Sequence, residues 1–349
     1  MPRPAKPMLG LDISSSAVKL IELSKPTDTY RVEACSLMPL PANTVVEKNI
    51  IDIEGLADTI AKVVSKSKTQ CSAAAVAVSG ACVITKEIEL PRRLTELQMK
   101  KQIELEAGQY IPYPLEEIAL DFDILGPVQS NTNLVRVLLA ACRQENIEQR
   151  CQALEMAGLT AKVIDIEVFA VERAYKLIRD QLNRVGDRLV AIADIGASMI
   201  TFTVLIKGRA IYSAEELFGS KQLTDEVQRR YQVSFEQAID ENCNERLPNS
   251  YETEIHAPFR ASLIKHIARS LQFFYSSSQY SNIDRIFLVG GGSTLDNLAT
   301  ELEHTLGLPA VSCNPMATLQ VNQSSNRCLP VKHGPTMMVA LGLALRCFA

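Results

Sequence analysis

A short pattern occurs twice in this chain of 349 residues and constrains its fold more than any other feature. "LDISSSAVKLIEL" begins at residue 11 and "ADIGASMITFTVL" at residue 193, and their alignment pairs Asp12 with Asp194 and Ser16 with Ser198. Each copy is typical of a strand that ends in an aspartate, a turn of small residues and a second, alternating strand. The repeat predicts two similar lobes that face each other across a cleft.

The residue types in the two turns are suited to binding a phosphate. Small residues let backbone N–H groups approach an anion closely, and hydroxyl groups add further donors. An aspartate at the strand end can hold Mg²⁺ through water, because this ion keeps several of its waters in proteins. Two such hairpins predict a clasp for the triphosphate of a metal–nucleotide complex. For either hairpin alone, the ordinary use of Asp and Ser as turn formers remains open.

A third candidate element is "RIFLVGGGSTLDNL" at 285–298, which predicts a strand, a glycine-rich turn and a helix. Glycines at such a turn permit either the close approach of a ligand or tight packing of the backbone. The motif on its own does not decide between these two uses.

Composition excludes several classes of protein. Apolar residues make up 47% and charged residues 22%, as in ordinary globular proteins, and the net charge of -4 argues against a nucleic-acid surface. The most apolar stretch, 71–84, is too short to cross a bilayer, and the first ten residues lack the apolar core of a secretory signal. Nine cysteines without a C-x-x-C pair favour a reduced, cytoplasmic protein.

The chain exceeds the usual size of one hydrophobic core, and its predicted elements suggest a division into domains. We expect the core of the first lobe at 1–83 and 167–187, an inserted α+β subdomain at 84–166, and the second lobe at 188–349 with a small portion at about 220–284. The inserted unit is predicted as a strand, a helix, two strands, a helix and a strand, at 83–90, 95–108, 118–125, 133–140, 144–157 and 161–166. Other helices are predicted at 52–67, 167–182, 258–280, 294–306 and 335–346, and a loop at 320–334.

Together these features resemble the actin–Hsp70–sugar kinase superfamily, whose members have an α/β, two-lobed actin-like (ribonuclease H-like) ATPase fold. The insertion in the first lobe is similar to that of the subgroup related to the cell-division protein FtsA. Within that subgroup the chain resembles the PilM family of type IV pilus assembly proteins over nearly its whole length. The stretches "VVEKNI" (45–50), "QYIPYPLEE" (109–117) and "RSLQFFY" (269–275) carry this resemblance.

The resemblance implies a function as well as a fold. It implies an ATP- and Mg-binding scaffold of pilus biogenesis and twitching motility, peripheral on the cytoplasmic face of the inner membrane, with weak or no ATPase turnover. Its expected partner is the cytoplasmic N-terminal tail of PilN, bound in a groove between the first lobe and the inserted subdomain. Val45, Val46 and Ile50 are candidate groove residues, and the extension ATPase is a further candidate partner.

The resemblance also assigns candidate site residues. The first phosphate loop corresponds to Asp12, Ser14, Ser15 and Ser16, with Lys19 close by, and the second phosphate loop corresponds to Asp194, Gly196, Ala197 and Ser198. The turn under the nucleotide corresponds to Gly219 and Lys221. The adenosine loop corresponds to Gly290, Gly291, Gly292 and Ser293. Asp12 and Asp194 are the expected water-mediated Mg ligands. Glu167 is the candidate for orienting the metal's water, with an ordinary helix-terminal charge as the alternative.

Three positions depart from the usual pattern of the superfamily. Ser14 and Ser220 replace glycines, and the segment expected to hold the ribose offers Asp240, Glu241 and Asn242 without a lysine. These departures keep open a nucleotide-free adaptor of the same fold. A kinase or phosphatase of the superfamily is the least favoured reading, since we find neither its catalytic carboxylate nor a substrate loop.

Overall fold

A computed structural model describes residues 7–26, 29–181, 188–234, 238, 250–321 and 331–348. Its strands are β1 Leu9–Ile13, β2 Ala17–Ser24, β3 Arg31–Pro39, β4 Val45–Val46, β5 Asn49–Ile50, β6 Ala73–Val78, β7 Val83–Pro91, β8 Ile118–Pro127, β9 Leu134–Arg143, β10 Thr160–Ile166, β11 Leu189–Ile195, β12 Ile200–Ile206, β13 Arg209–Glu216, β14 Arg285–Val289, β15 Ala310–Ser312 and β16 Gln320–Val321. Its α-helices are α1 Ile53–Ser67, α2 Glu96–Glu106, α3 Gln144–Met156, α4 Glu167–Gln181, α5 Ser220–Tyr231, α6 Ala257–Ser277, α7 Leu298–Leu306 and α8 Met338–Ala344.

The two large sheets repeat one topology, as the paired hairpins predict. The first sheet has the order β10-β6-β1-β2-β3-β16, and the second has the order β13-β12-β11-β14-β15. In each sheet an antiparallel meander begins with the aspartate-bearing strand, and a parallel strand lies on that strand's other side. The turns after β1 and β11 therefore occupy equivalent places in the two halves of the molecule.

Helices α4 and α8 lie between the two sheets and share one core with both. Buried residues of the two helices, such as Tyr175 and Leu341, belong to the same apolar cluster as Ile21 of the first sheet and Phe287 of the second. The helices approach very closely, since a Cβ atom on Gly342 would lie 1.8 Å from the carbonyl oxygen of Ala170. This shared core places the cleft between the two hairpins at one end of the two helices.

A small antiparallel sheet of order β7-β9-β8 follows the first lobe's central strands in sequence. The inserted subdomain was expected to extend to residue 166, but its last predicted strand, β10, pairs in parallel with β6 of the first sheet. Helix α3 likewise shares the core of α1 and the first sheet through Ala153 and Leu154. These segments bury their apolar residues in the larger sheet, and the division of the chain into domains stays a prediction.

Two predicted segments near the C-terminal end differ from the structure. The helix predicted at 294–306 begins only at Leu298, because Leu295 is extended and Asn297 has a left-handed backbone with φ 62°. The predicted loop at 320–334 contains strand β16, which pairs with β3, and its last residues open a 3₁₀-helix at Val331–Met337. The positions between 322 and 330 lie outside the described residues.

Two further observations concern the whole described chain. None of the described helices combines the length and the apolarity needed to cross a bilayer. The seven cysteines in the described ranges are free thiols, and three of them are buried: Cys35, Cys142 and Cys313.

Candidate functional site

The structure brings the two serine-containing turns into direct contact. The Ser15 and Ser198 hydroxyl oxygens lie 2.6 Å apart and share a hydrogen bond, although the residues are 183 positions apart in the chain. Asp12 and Asp194 are the penultimate residues of β1 and β11, which occupy equivalent places in the two sheets. Each of these strands pairs in register with the second strand of its own hairpin. The predicted phosphate loops thus face each other at one place.

The turns also present unused backbone donors. Ser14 and Gly196 donate their amides within their own hairpins, to Ala17 and Met199. Within the described chain, the amides at 15, 16, 197 and 198 donate no hydrogen bond. An anion is the natural acceptor for such amides. A phosphate that contacts both turns must replace the bond between the Ser15 and Ser198 hydroxyls.

The two aspartates share one lysine at the base of the turns. The Lys19 ammonium lies 2.8 Å from a carboxylate oxygen of Asp12. Burial acts to lower the pKa of Lys19, but the charges of Asp12, Asp194 and Glu167 raise it, so the ammonium stays charged. Burial raises the pKa of Asp194 to about 6, with Lys19 opposing and Asp12 adding to the shift. Lys19 therefore offsets part of the negative charge of the aspartate pair, and its contact with a phosphate stays a prediction.

Beside Lys19, a second lysine, which the sequence analysis missed, joins three elements. The Lys48 ammonium, from the turn between β4 and β5, is bound to the carboxylate of Glu167 at the start of α4. It also lies 3.0 Å from Glu215 of β13 and 3.4 Å from the hydroxyl of Thr201 on β12. Lys48 lies in the stretch "VVEKNI", but its partner Glu215 is 167 positions away in the chain, so local spacing does not predict the pair.

Glu167 is therefore neither a solvated charge nor an available base in this arrangement. Burial raises its pKa, while the charge of Lys48 and the hydrogen bond from it act in the opposite direction. Burial acts to lower the pKa of Lys48, but Glu167 and Glu215 together raise it above its ordinary value. The ion pair holds the carboxylate in place at the edge of the cleft.

The balance of charge at the base of the cleft suits a divalent cation. Four carboxylates, those of Asp12, Asp194, Glu167 and Glu215, face two ammonium groups, those of Lys19 and Lys48. Among the residues that the structure describes, no three acidic, histidine or cysteine side chains are grouped closely enough to hold a metal directly. The arrangement fits Mg²⁺ held through water by one or two carboxylates.

The glycine-rich turn packs tightly against the end of β11. Gly290 has φ +82°, and a Cβ atom there would lie 2.3 Å from a carboxylate oxygen of Asp194. A Cβ atom on Gly292 would lie 2.3 Å from the Ile195 side chain, and the Ser293 hydroxyl donates to the Gly290 carbonyl at 2.8 Å. Packing thus accounts for two of the three glycines, and only the exposed Gly291 leaves its space open to a ligand.

The backbone at Gly219 packs against the turn that follows β11. A Cβ atom on Gly219 would lie 2.3 Å from the Ala197 carbonyl oxygen, and the Lys221 amide donates to that oxygen at 2.8 Å. The Lys221 ammonium instead lies 2.6 Å from Asp225, one turn along α5, and its side chain is largely exposed. The backbone at Gly219 thus packs against the second turn, the Lys221 ammonium is paired with Asp225, and the role of both residues at a nucleotide stays a prediction. Asp240, Glu241 and Asn242 lie outside the described residues.

A groove of about 510 Å³ lies between the β4–β5 hairpin, the small sheet and α3. Its lining residues are Asn49, Ile50, Ile51, Ala81, Cys82, Ile84, Tyr113, Ile118, Ala141, Cys142, Arg143, Glu145, Asn146 and Gln149. Of the three candidates from the sequence, Ile50 lines the groove, whereas Val45 is buried in the core of the first sheet and the exposed Val46 is not among the lining residues. The Arg143 guanidinium stacks over the Tyr113 ring at 4.9 Å, so the groove has both apolar and cationic walls.

Comparison with known proteins gives a family for this architecture. The sequence model described as "Type IV pilus assembly protein PilM" matches residues 10–348. A solved structure named "PilM-PilN type IV pilus biogenesis complex" is 29% identical, covers 99% of this chain and 100% of that chain, and superposes with a TM-score of 0.78.

Two more distant structures share the fold. The ethanolamine utilization protein EutJ from Carboxydothermus hydrogenoformans is 18% identical, with a TM-score of 0.57, and the match covers 99% of this chain and 91% of that one. MreB 5 of Spiroplasma citri, solved bound to AMPPNP, is 12% identical with a TM-score of 0.50, over 97% of this chain and 94% of that one. The predicted two-lobed, actin-like fold is confirmed.

Proposed function

The chain belongs to the PilM family of type IV pilus assembly proteins, and from this membership we propose that it is an actin-like scaffold of pilus biogenesis that binds the N-terminal tail of a PilN protein. The similar solved structure is itself a complex of PilM with PilN. The proposal places the protein on the cytoplasmic face of the inner membrane, held there by this partner, and leaves the extension ATPase as a candidate second partner.

The groove beside the β4–β5 hairpin is the observation that carries the proposal. Exposed apolar side chains are the usual anchors for an extended or helical peptide, and Ile51 and Tyr113 of the groove are exposed by 65% and 40%. Its volume lies within the range of sites that enclose small ligands or a few side chains of a peptide. The groove lies where the family resemblance leads one to expect the tail.

We further propose that the cleft between the two hairpins holds Mg-ATP. The amides and hydroxyls of the turns at 14–16 and 196–198 would hold the phosphates, and Asp12 and Asp194 would hold the magnesium through water. The bound metal would neutralise phosphate charge that the two carboxylates would otherwise repel. The unused amides and the excess of carboxylates in the cleft support this assignment.

Peptide binding tests the proposed function directly. We expect a fluorescein-labelled peptide with the sequence of the PilN tail to bind the wild-type protein saturably in a fluorescence anisotropy titration. Replacing the aromatic wall in Tyr113→Ala removes an exposed anchor, and we expect the affinity to fall at least about tenfold.

Phe273→Ala provides the matched control for this experiment. Phe273 is an exposed aromatic residue of α6 in the second lobe, away from the groove, so its removal should leave the peptide affinity unchanged. Equal affinities for wild type and Tyr113→Ala would contradict the assignment of the groove. The absence of any binding by the folded wild type would contradict the proposed function itself.

A further inference from the structure

Glu215 of the second sheet makes its contacts with the first lobe through two segments that also line the groove. Its carboxylate accepts a hydrogen bond from the Ser79 hydroxyl at 2.6 Å and lies 3.0 Å from the Lys48 ammonium. Ser79 caps the short 3₁₀-helix Gly80–Cys82, in which Ala81 and Cys82 form one groove wall. Lys48 directly precedes Asn49 and Ile50, which form another wall. The Glu215 carboxylate of the cleft thus binds two segments that form walls of the groove.

The hairpin turn that carries Lys48 is held in a strained backbone conformation. Glu47 and Lys48 have φ values of 48° and 66°, and such left-handed pairs in tight hairpins normally use Asn and Gly. A residue other than glycine in this region persists only where its surroundings hold it, and such strain clusters at switch regions. The ion pairs of Lys48 with Glu167 and Glu215 are among the contacts that hold this turn.

A third link ties the same turn to the opposite groove wall. The guanidinium of buried Arg150 donates to the carbonyl of Lys48 at 3.4 Å and to that of Asn146 at 2.8 Å. Asn146 lines the groove from α3. A displacement of the hairpin by an occupant of the groove is therefore transmitted to the Lys48 backbone, and from there to its ion pairs across the cleft.

We propose that Lys48 and Glu215 form an interlobe latch that couples occupation of the groove to the position of the second lobe at the nucleotide cleft. The inference rests on the proposed function for the identity of the two ligands. Both residues are positioning residues: they set how the hairpin and β13 lie relative to each other. Because coupling between two sites is reciprocal, the factor by which nucleotide changes peptide affinity equals the factor by which peptide changes nucleotide affinity.

The latch also determines whether the Glu167 carboxylate is paired with Lys48 or faces the cleft unpaired. While Lys48 is bound to both carboxylates, the Glu167 side chain is held toward the hairpin by an opposite charge. A hairpin shift that withdraws the ammonium leaves Glu167 facing the cleft without its partner. An occupant of the groove therefore alters the charge at the cleft without any contact with the nucleotide.

The test measures the affinity of the labelled PilN tail peptide with and without saturating Mg-AMPPNP. For wild type we expect the two dissociation constants to differ by at least about fivefold, which is the lower end of couplings measured between distinct sites. In Glu215→Gln and Lys48→Met we expect this ratio to fall to about one. Lys48→Arg keeps a cation able to bridge both carboxylates and should retain the ratio.

Two control variants separate the latch from a general loss of charge. Glu87→Gln removes an exposed ion pair with Arg136 in the small sheet, and Lys62→Met removes an exposed lysine of α1; both should keep the wild-type ratio. Circular dichroism melting establishes that each variant is folded, and Lys48→Met is the alternative if Glu215→Gln does not fold. A ratio of one in wild type, or an unchanged ratio in the latch variants, would overturn the proposal.

Hydrogen exchange provides a readout that needs neither ligand. Loss of the latch in Glu215→Gln should raise the exchange rates of the amides at 45–51 and 79–82 severalfold, and Glu87→Gln should leave them unchanged. Unchanged exchange at 45–51 in Glu215→Gln overturns the latch. Failure of the wild type to bind peptide or nucleotide in the single titrations instead overturns the proposed function, so the two failures are distinguishable.

Discussion

At the scale of single residues, the cleft contains charged side chains whose burial raises the free energy of the folded state. Asp194 is the penultimate residue of the buried strand β11, and within the described residues its carboxylate has no hydrogen bond or ion pair of its own. Lys19 acts on it from a distance while bound to Asp12. A carboxylate kept in such a place without a partner is typical of a group retained for binding and not for stability.

Replacing Asp194 should therefore stabilise the protein when magnesium and nucleotide are absent. The carboxyl ionises near its ordinary pKa of 3.8 in the unfolded chain and near 6 in the folded protein. Between these values the folded state binds more protons, so the free energy of unfolding decreases as the pH rises through this window and stays lower above it. We expect Asp194→Asn to gain about 1–3 kcal/mol at pH 7.5 and to lose this pH dependence.

Urea denaturation in EDTA at pH 4.5 and pH 7.5 measures this effect. Asp58→Asn, at an exposed position of α1, is the matched control and should match the wild type within about 0.5 kcal/mol at both values. If Asp194→Asn is no more stable than wild type at pH 7.5, the burial of this carboxylate is not costly.

At the scale of elements, long apolar strands could be predicted from the sequence, whereas very short strands and pairings between distant segments could not. The hairpins β1–β2 and β11–β12 match their predictions, because each strand has five or more residues and most of them are apolar and buried. The hairpin β4–β5 was missed, since its strands have two residues each and its turn is Glu-Lys. Strand β10 was found but assigned to the wrong sheet, because its pairing with β6 bridges about 85 residues of chain.

The crossing of α4 and α8 depends on one glycine, which yields a test of the shared core. At Gly342 a Cβ atom would meet backbone atoms of Ala170 at 1.8–2.8 Å, and backbone cannot move aside as a flexible side chain can. We expect Gly342→Ala to lose about 3 kcal/mol of stability or more, measured by urea denaturation.

Gly108→Ala is the matched control for this substitution. A Cβ atom at Gly108 has no other atom within 4 Å, so this variant should be neutral or slightly stabilising, by up to about 1 kcal/mol. Equal midpoints for the Gly342 and Gly108 variants would show that the two helices can move apart at little cost.

At the scale of the whole molecule, the internal repeat made the two-lobed architecture predictable from the sequence. The contacts that link the two lobes could not be predicted in this way. Asp12 and Asp194 marked the equivalent hairpins, and the two sheets show the same strand order around them. The ion pair of Lys48 with Glu215 was not predicted, because an ion pair across a cleft depends on how the two lobes are placed and not on local spacing. The groove could not be predicted for the same reason, because its walls come from four separate segments of the chain whose relative placement the local sequence does not reveal.

The two hairpins are proposed to hold a metal–nucleotide complex between them. Calorimetric titration of Mg-ATP into the wild type and Asp194→Ala tests this proposal, with a parallel titration in EDTA and Asp58→Ala as the control. We expect saturable one-to-one binding by wild type and the control, weakened at least about tenfold by the Asp194 substitution and by the removal of magnesium. No heat from folded wild-type protein, or unchanged binding by Asp194→Ala, would contradict the clasp and favour an adaptor that works without nucleotide.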